Sequence, residues 1–221
     1  MTDSQRWWAL LSLIVAGEVI FFLPFVIPRV FRPTYLDVFG ITNFELGTFF
    51  SAYGFVAIAA YLVGGPLADR YPAHKLMALA LVTTGLGGLF MITVPSKAAM
   101  LGLYAFWGMT TILLFWASLM RATRMTGGEG KQGFAFGLLD GGRGLVAAIV
   151  GALAVWVLSA RLPADVSSAT ASEQHEAFKQ VITFFVVFVF LAAVLVFFVL
   201  KPLEHVHGKS IDRISWSHVR R

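Results

Sequence analysis

The chain has 221 residues, of which 58% are hydrophobic and only 13% charged, with a formal charge of +5 and no cysteine. A soluble domain carries about 25% charged residues, so a water-soluble fold is excluded, and the missing thiols exclude disulfides, thiolate metal sites and cysteine nucleophiles. The positive charge is read as the Lys/Arg bias of membrane proteins rather than as a nucleic-acid surface, because no stacking motif is present and 17 of the 21 Phe lie inside apolar runs.

Six apolar runs follow one another at 7–27, 46–65, 76–94, 98–120, 134–159 and 181–200. About twenty such residues cross a bilayer as a helix, and none of the runs shows the alternation of a barrel strand. The expected fold is an all-α integral membrane bundle over residues 1–200, followed by a cytoplasmic tail at 201–221. The first run is not a cleavable signal: it is too long, it holds Glu18, and no small-residue cleavage site follows. Pro24 and Pro28 should kink its outer end. Tyr53 in the second run, and Trp107, Thr110 and Trp116 in the fourth, are candidates to line a polar cavity, although aromatic residues in membrane helices more often pack or form interfacial belts. Gly85, Gly87 and Gly88 in the third run should allow close helix packing. The segment 160–180 reads as a polar, solvated loop. The sixth run has one Thr and no other polar side chain, and is expected to face lipid. The tail is basic with one Trp, suited to an anionic leaflet. Its His205, His207 and His218 lack a carboxylate or thiol cluster, so no metal and no cofactor is expected.

Lys/Arg counting sets the orientation. With the N-terminus in the cytoplasm, the inner segments hold eleven basic residues and the outer segments five, among them Arg29 and Arg32. Both termini are therefore expected in the cytoplasm, in a plasma or inner membrane.

Three ionisable residues fall inside runs. Glu18 lies about 18 Å along a helix from Arg6, and Asp140 and Arg143 lie about 13–18 Å from Lys131, so all three are expected near one depth. A charge there costs at least about 2.5 kcal/mol unless paired or hydrated, and normally faces a cavity or the bundle interior. Asp140 and Arg143 share a helix face and can neutralise each other. Arg143 can instead offer its fork to a carboxylate or phosphate on a solute. Glu18 has no charged partner on its own helix. It either pairs with Arg143 across the first and fifth helices or sits protonated in an apolar site, which would make it a proton-coupling carboxylate.

Between the second and third runs stands "GGPLADRYPAHK", residues 64–75. It resembles the loop between the second and third helices of the major facilitator superfamily: Gly, three residues, Asp-Arg, one residue, Gly-Arg, then a basic residue. Gly65, Asp69 and Arg70 match, His74 and Lys75 supply the basic end, and Pro72 and Ala73 replace the usual Gly and Arg. "KQGFAFGLLDGGRGLVAAIVGAL", residues 131–153, resembles that family's fourth loop and glycine-rich fifth helix, without the antiporter Gly-Pro signature. The resemblance implies an N-terminal six-helix half made of two three-helix repeats. Gly47, Phe50 and Gly65 standing 86 residues before Gly133, Phe136 and Gly151 fits such a repeat. It also implies a cytoplasmic gate at Gly65, Asp69, Arg70 and Lys75 that engages a second six-helix half, whether a separate chain, a further part of the same protein or a second copy. In this reading Gly65 admits another helix backbone. Arg121 and Arg124 end the fourth helix, where they suit its dipole or join the gate with Asp69 and Glu129.

The function expected is half of a secondary active transporter, a symporter or antiporter moving a small polar or anionic solute such as an organic anion or sugar acid by alternating access, with the proton as a candidate coupling ion. The alternative is a non-transporting assembly or scaffold subunit with a degenerate transporter fold. An enzyme is not expected: no Ser/His/Asp arrangement, His-based metal spacing or phosphate loop occurs.

Overall fold

The apolar runs fold as helices because backbone in lipid must satisfy its own polar groups, and a helix does so within one segment. The computed structural model describes residues 3–128, 130–162 and 170–207, with side chains up to 202. Glu129, the tail from 208 with His218, and the side chains of His205 and His207 lie outside this description. The helices are α1 (Asp3–Val19), α2 (Ile27–Val30), α3 (Arg32–Phe39), α4 (Asn43–Arg70), α5 (Ala73–Ile92), α6 (Lys97–Met109), α7 (Ala117–Gly127), α8 (Gln132–Ser159) and α9 (Ala171–His207). A π-helical segment, Phe22–Val26, joins α1 to α2, and a second, Thr110–Trp116, joins α6 to α7. No strand occurs among the described residues. Five helical stretches are long and apolar enough to cross a membrane, and Asp3–Val19 with Phe22–Val30, bent by 42°, makes a sixth. This is the all-α membrane bundle expected from the sequence.

The segment 64–75, read as a loop, is mostly helix. α4 runs through Pro66 to Arg70, and α5 begins at Ala73. Only Tyr71 and Pro72 break the chain, with Tyr71 extended at φ −115° and ψ 151°, as a residue before proline prefers. Gly64, rather than Gly65, admits a neighbouring backbone: a Cβ there would meet the carbonyl oxygens of Ile112 and Leu113 at 3.4 Å, whereas Gly65 faces open space. The segment between the first two spans holds the short helix α3, ended by Gly40 in the left-handed region at φ 58°.

α9 starts at Ala171, well inside the segment expected to be a solvated loop, behind a cap in which Thr170 and Glu173 bond reciprocally. It is also not a purely lipid-facing helix. Phe178, Phe185, Val189 and Val196 on one face are fully buried, while Val187, Leu191 and Phe198 on the other are exposed. Polarity alone cannot separate those faces, because both are apolar. The α5 glycines seat neighbouring side chains as expected. A Cβ on Gly87 would stand 2.6 Å from the Trp107 indole nitrogen, and one on Gly88 would stand 2.5 Å from Val186.

The helix pairings repeat. α1 packs on α8 and α9, α4 packs on α6 and the π segment after it, and α5 packs on α9 and on that π segment. Exchanging the first three spans with the last three maps each pairing onto another. Both π segments fall on equivalent spans, the first and the fourth. α4 and α8, which are equivalent as well, bury the smallest shares of their residues among the long helices.

Candidate functional site

Pro24 has no N–H, and its ring crowds the carbonyl four residues back, which belongs to Ile20. The α-helical ladder stops there. Phe21 N–H donates to the Glu18 carbonyl at 2.9 Å, and Val26 N–H donates to the Phe21 carbonyl at 3.2 Å, the i+5 spacing of a π turn. The kink expected at the outer end of the first span thus begins about one turn before the proline, just past Val19, the residue after Glu18.

Glu18 stands in the last turn of α1, facing α8. Its Oε2 lies 3.3 Å from Nε of Arg143, whose Nη1 lies 3.6 Å from Oδ1 of Asp140. The side chains of Glu18 and Arg143 are 12% and 19% exposed, that of Asp140 75%. The Arg143–Glu18 contact is an ion pair by distance but not a hydrogen bond, and the buried Nε–H has no acceptor among the described residues. Gly17 makes room for the arginine: a Cβ there would stand 3.2 Å from Arg143 Cδ and 3.3 Å from Leu119 Cδ2. The guanidinium carbon lies 5.6 Å from the Phe21 ring centre and 5.5 Å from that of Trp116, within cation–π range.

Two open clefts share this pair. The larger, about 740 Å³, runs along α8 from Asp140 past the small residues Gly144, Ala148 and Gly151. The smaller, about 340 Å³, is walled by Phe21, Phe25, Tyr61, Ile112 and Trp116. Glu18, Arg143 and Arg29 line both. Arg29, read from the sequence as an outer-segment residue, is therefore a member of the site. It is exposed and makes no ion pair or hydrogen bond among the described residues. Its spacing of eleven residues from Glu18 is three helical turns, a signal that the intervening prolines obscure.

The other cavity candidates divide. Trp116 is in the site. Trp107 is fully buried and donates its indole N–H to the Thr84 carbonyl at 3.2 Å. Thr110 pairs its hydroxyl with that of Thr84 at 2.8 Å, and Tyr53 pairs with Thr111 at 2.6 Å. These three polar groups are satisfied in the helix packing and line neither cleft.

At the other end of the bundle, Arg121 on α7 donates Nη1 to the carbonyl oxygens of Ala68 and Tyr71, the latter at 3.3 Å. It caps α4, whose last carbonyls lack helical partners, rather than its own helix. Asp69, Arg70, Lys75 and Arg124 are exposed, with Arg70 stacked at 5.9 Å over the Tyr71 ring. The Asp69 carboxylate makes no ion pair or hydrogen bond among the described residues.

The sequence profile of the Major Facilitator Superfamily matches residues 8–221. The chain belongs to the Major Facilitator Superfamily. It is 30% identical over 215 residues to inner membrane protein YihN of Escherichia coli K12, covering 95% of this chain and 48% of that protein. It is 31% identical over 167 residues to inner membrane protein YqcE of the same organism, covering 75% and 39%. Puromycin resistance protein pur8 of Streptomyces alboniger is 24% identical over 154 residues, 68% of this chain and 30% of that one. The chain spans about half the length or less of these curated relatives. No solved structure shows a significant match. As a superfamily member, the chain is an integral membrane protein of a transporter family, and the six-helix bundle is a major-facilitator-type half.

Proposed function

We propose that the chain is the N-terminal six-helix half of a secondary active transporter, a symporter or antiporter that moves a small anionic solute, such as an organic anion or sugar acid, by alternating access. The observation that carries the reading is the Glu18–Arg143 pair on the wall of two open clefts. Charges in a membrane span are costly, and they persist where they serve a pathway. Arg29 makes no ion pair or hydrogen bond among the described residues and lines both clefts with Arg143, so an anion entering meets two guanidinium groups. Glu18 balances Arg143 when the site is empty. Protonation of Glu18 or arrival of the anion releases the pair, which couples a proton to the solute.

The gate belongs to the same proposal. Asp69, Arg70 and Lys75 face outward from the α4–α5 turn, Arg121 holds the end of α4, and Arg124 lies beside it. Gly65 offers an open surface to a second six-helix half. Both termini stand in the cytoplasm, and the membrane is the plasma or inner membrane, in keeping with the names of the two bacterial relatives.

The test is uptake of a panel of labelled organic and sugar acids into proteoliposomes that hold the assembly purified from its host. Glu18→Gln should weaken apparent affinity and flatten the pH dependence of uptake. Transport with both unchanged would refute the exchangeable pair. A scaffold subunit would keep its function with Glu18→Leu and Arg143→Leu, and a transporter half would not.

A further inference from the structure

We propose that the solute is an aromatic carboxylate, with its anionic group held by Arg29 and Arg143 and its ring lying among Phe21, Phe25, Tyr61 and Trp116. The inference rests on the transport reading and names the class of solute for that site. The smaller cleft holds about 340 Å³. An apolar cavity of about 150 Å³ accepts benzene, so a ring and its carboxylate fit with room for a substituent. Its wall combines two arginines and Glu18 with four aromatic residues, Val26 and Ile112.

Phe21 and Trp116 meet edge to face with ring centres 6.0 Å apart, each also near the Arg143 guanidinium. That arrangement alone would be explained by shielding of a buried arginine. Shielding does not explain Arg29, which makes no ion pair or hydrogen bond among the described residues, nor Tyr61, which is 55% exposed and opens to the same cleft. A sugar acid would set hydroxyl groups against ring faces that accept no hydrogen bonds of ordinary strength. A planar aromatic ring makes offset and edge contacts with those faces, while its carboxylate takes the arginine forks.

The assembly purified from its host in mild detergent is titrated calorimetrically with benzoate, cyclohexanecarboxylate and gluconate. The first two share charge and size, and differ in the π face. Benzoate is expected to bind about fivefold tighter than cyclohexanecarboxylate, and gluconate more weakly than either. Trp116→Leu should bring the benzoate to cyclohexanecarboxylate ratio to about one, and Trp116→Phe should keep it. Phe21→Leu gives the same reading if Trp116→Leu fails to fold. Equal binding of benzoate and cyclohexanecarboxylate, or tighter binding of gluconate, overturns the aromatic assignment and leaves the anion site standing. Binding of none of the three also overturns it, and the transport reading is then judged by the Glu18→Gln uptake assay alone.

Discussion

Arg143 lies closer to Glu18 on another helix, at 3.3 Å, than to Asp140 on its own, at 3.6 Å. The two contacts differ more in burial than in length, since Asp140 is 75% exposed and Glu18 12%. The bridge between helices is therefore the one in which solvent screens least, and it ties α1 to α8.

The first prediction follows from that difference. Glu18→Leu leaves Arg143 partly buried without its closest counter-charge and should cost about 2 kcal/mol of stability. Asp140→Asn should change stability by less than about 0.5 kcal/mol. Thermal unfolding in one detergent compares the two. Equal losses would place the important partner of Arg143 on its own helix.

Gly17 sets how closely Arg143 approaches α1. The atoms a Cβ would meet, Arg143 Cδ and Leu119 Cδ2, belong to flexible side chains that can yield by a few tenths of an ångström. Gly17→Ala should therefore cost less than about 1 kcal/mol, and Gly17→Leu about 1–3 kcal/mol through overpacking. Gly17→Leu should also push Arg143 off Glu18 and weaken anion affinity. Affinity unchanged in Gly17→Leu would mean that the arginine stem does not position the guanidinium.

Adjacent glycines on α4 should behave differently. Gly64 meets the carbonyls of Ile112 and Leu113, and these belong to a backbone that cannot step aside; Gly65 meets nothing. Gly64→Leu is expected to lower the thermal midpoint and the yield of folded protein, and Gly65→Leu to leave both unchanged. If Gly65→Leu nonetheless stops uptake, the open surface it occupies is needed by a partner. Loss of folding in both variants would contradict the packing.

Arg121 and Asp69 give a fourth pair of outcomes. Arg121→Ala removes the donor to the Ala68 and Tyr71 carbonyls and should cost about 1–2 kcal/mol. Asp69→Asn touches no partner among the described residues and should leave the stability of the chain unchanged while lowering uptake. The exchange Asp69→Arg with Arg121→Asp should not restore uptake, because Arg121 serves main-chain oxygens that an aspartate cannot bond. Rescue by that exchange, read in the same uptake assay, would show a side-chain ion pair between them.

Membrane confinement made much of this protein readable in one dimension. A span must be long, apolar and helical, so six runs of about twenty residues determined an all-α bundle, and three charges inside those runs marked its unusual positions. The depth match of Glu18 and Arg143 followed from rise per residue alone, because both helices begin at a countable distance from basic residues. Azimuth did not follow. Apolar side chains cover every face of a membrane helix, so the sequence could not separate the buried face of α9 from its exposed one, Gly64 from Gly65, or Trp116 in the cleft from Trp107 in the core. Those distinctions come from helix rotation and spacing, which neighbouring glycines and the two π segments decide. The same holds for Arg29: its count along the chain assigned it to an outer segment, and only the bend of 42° before it and the packing of α1 on α8 bring its charge to the clefts shared with Glu18 and Arg143.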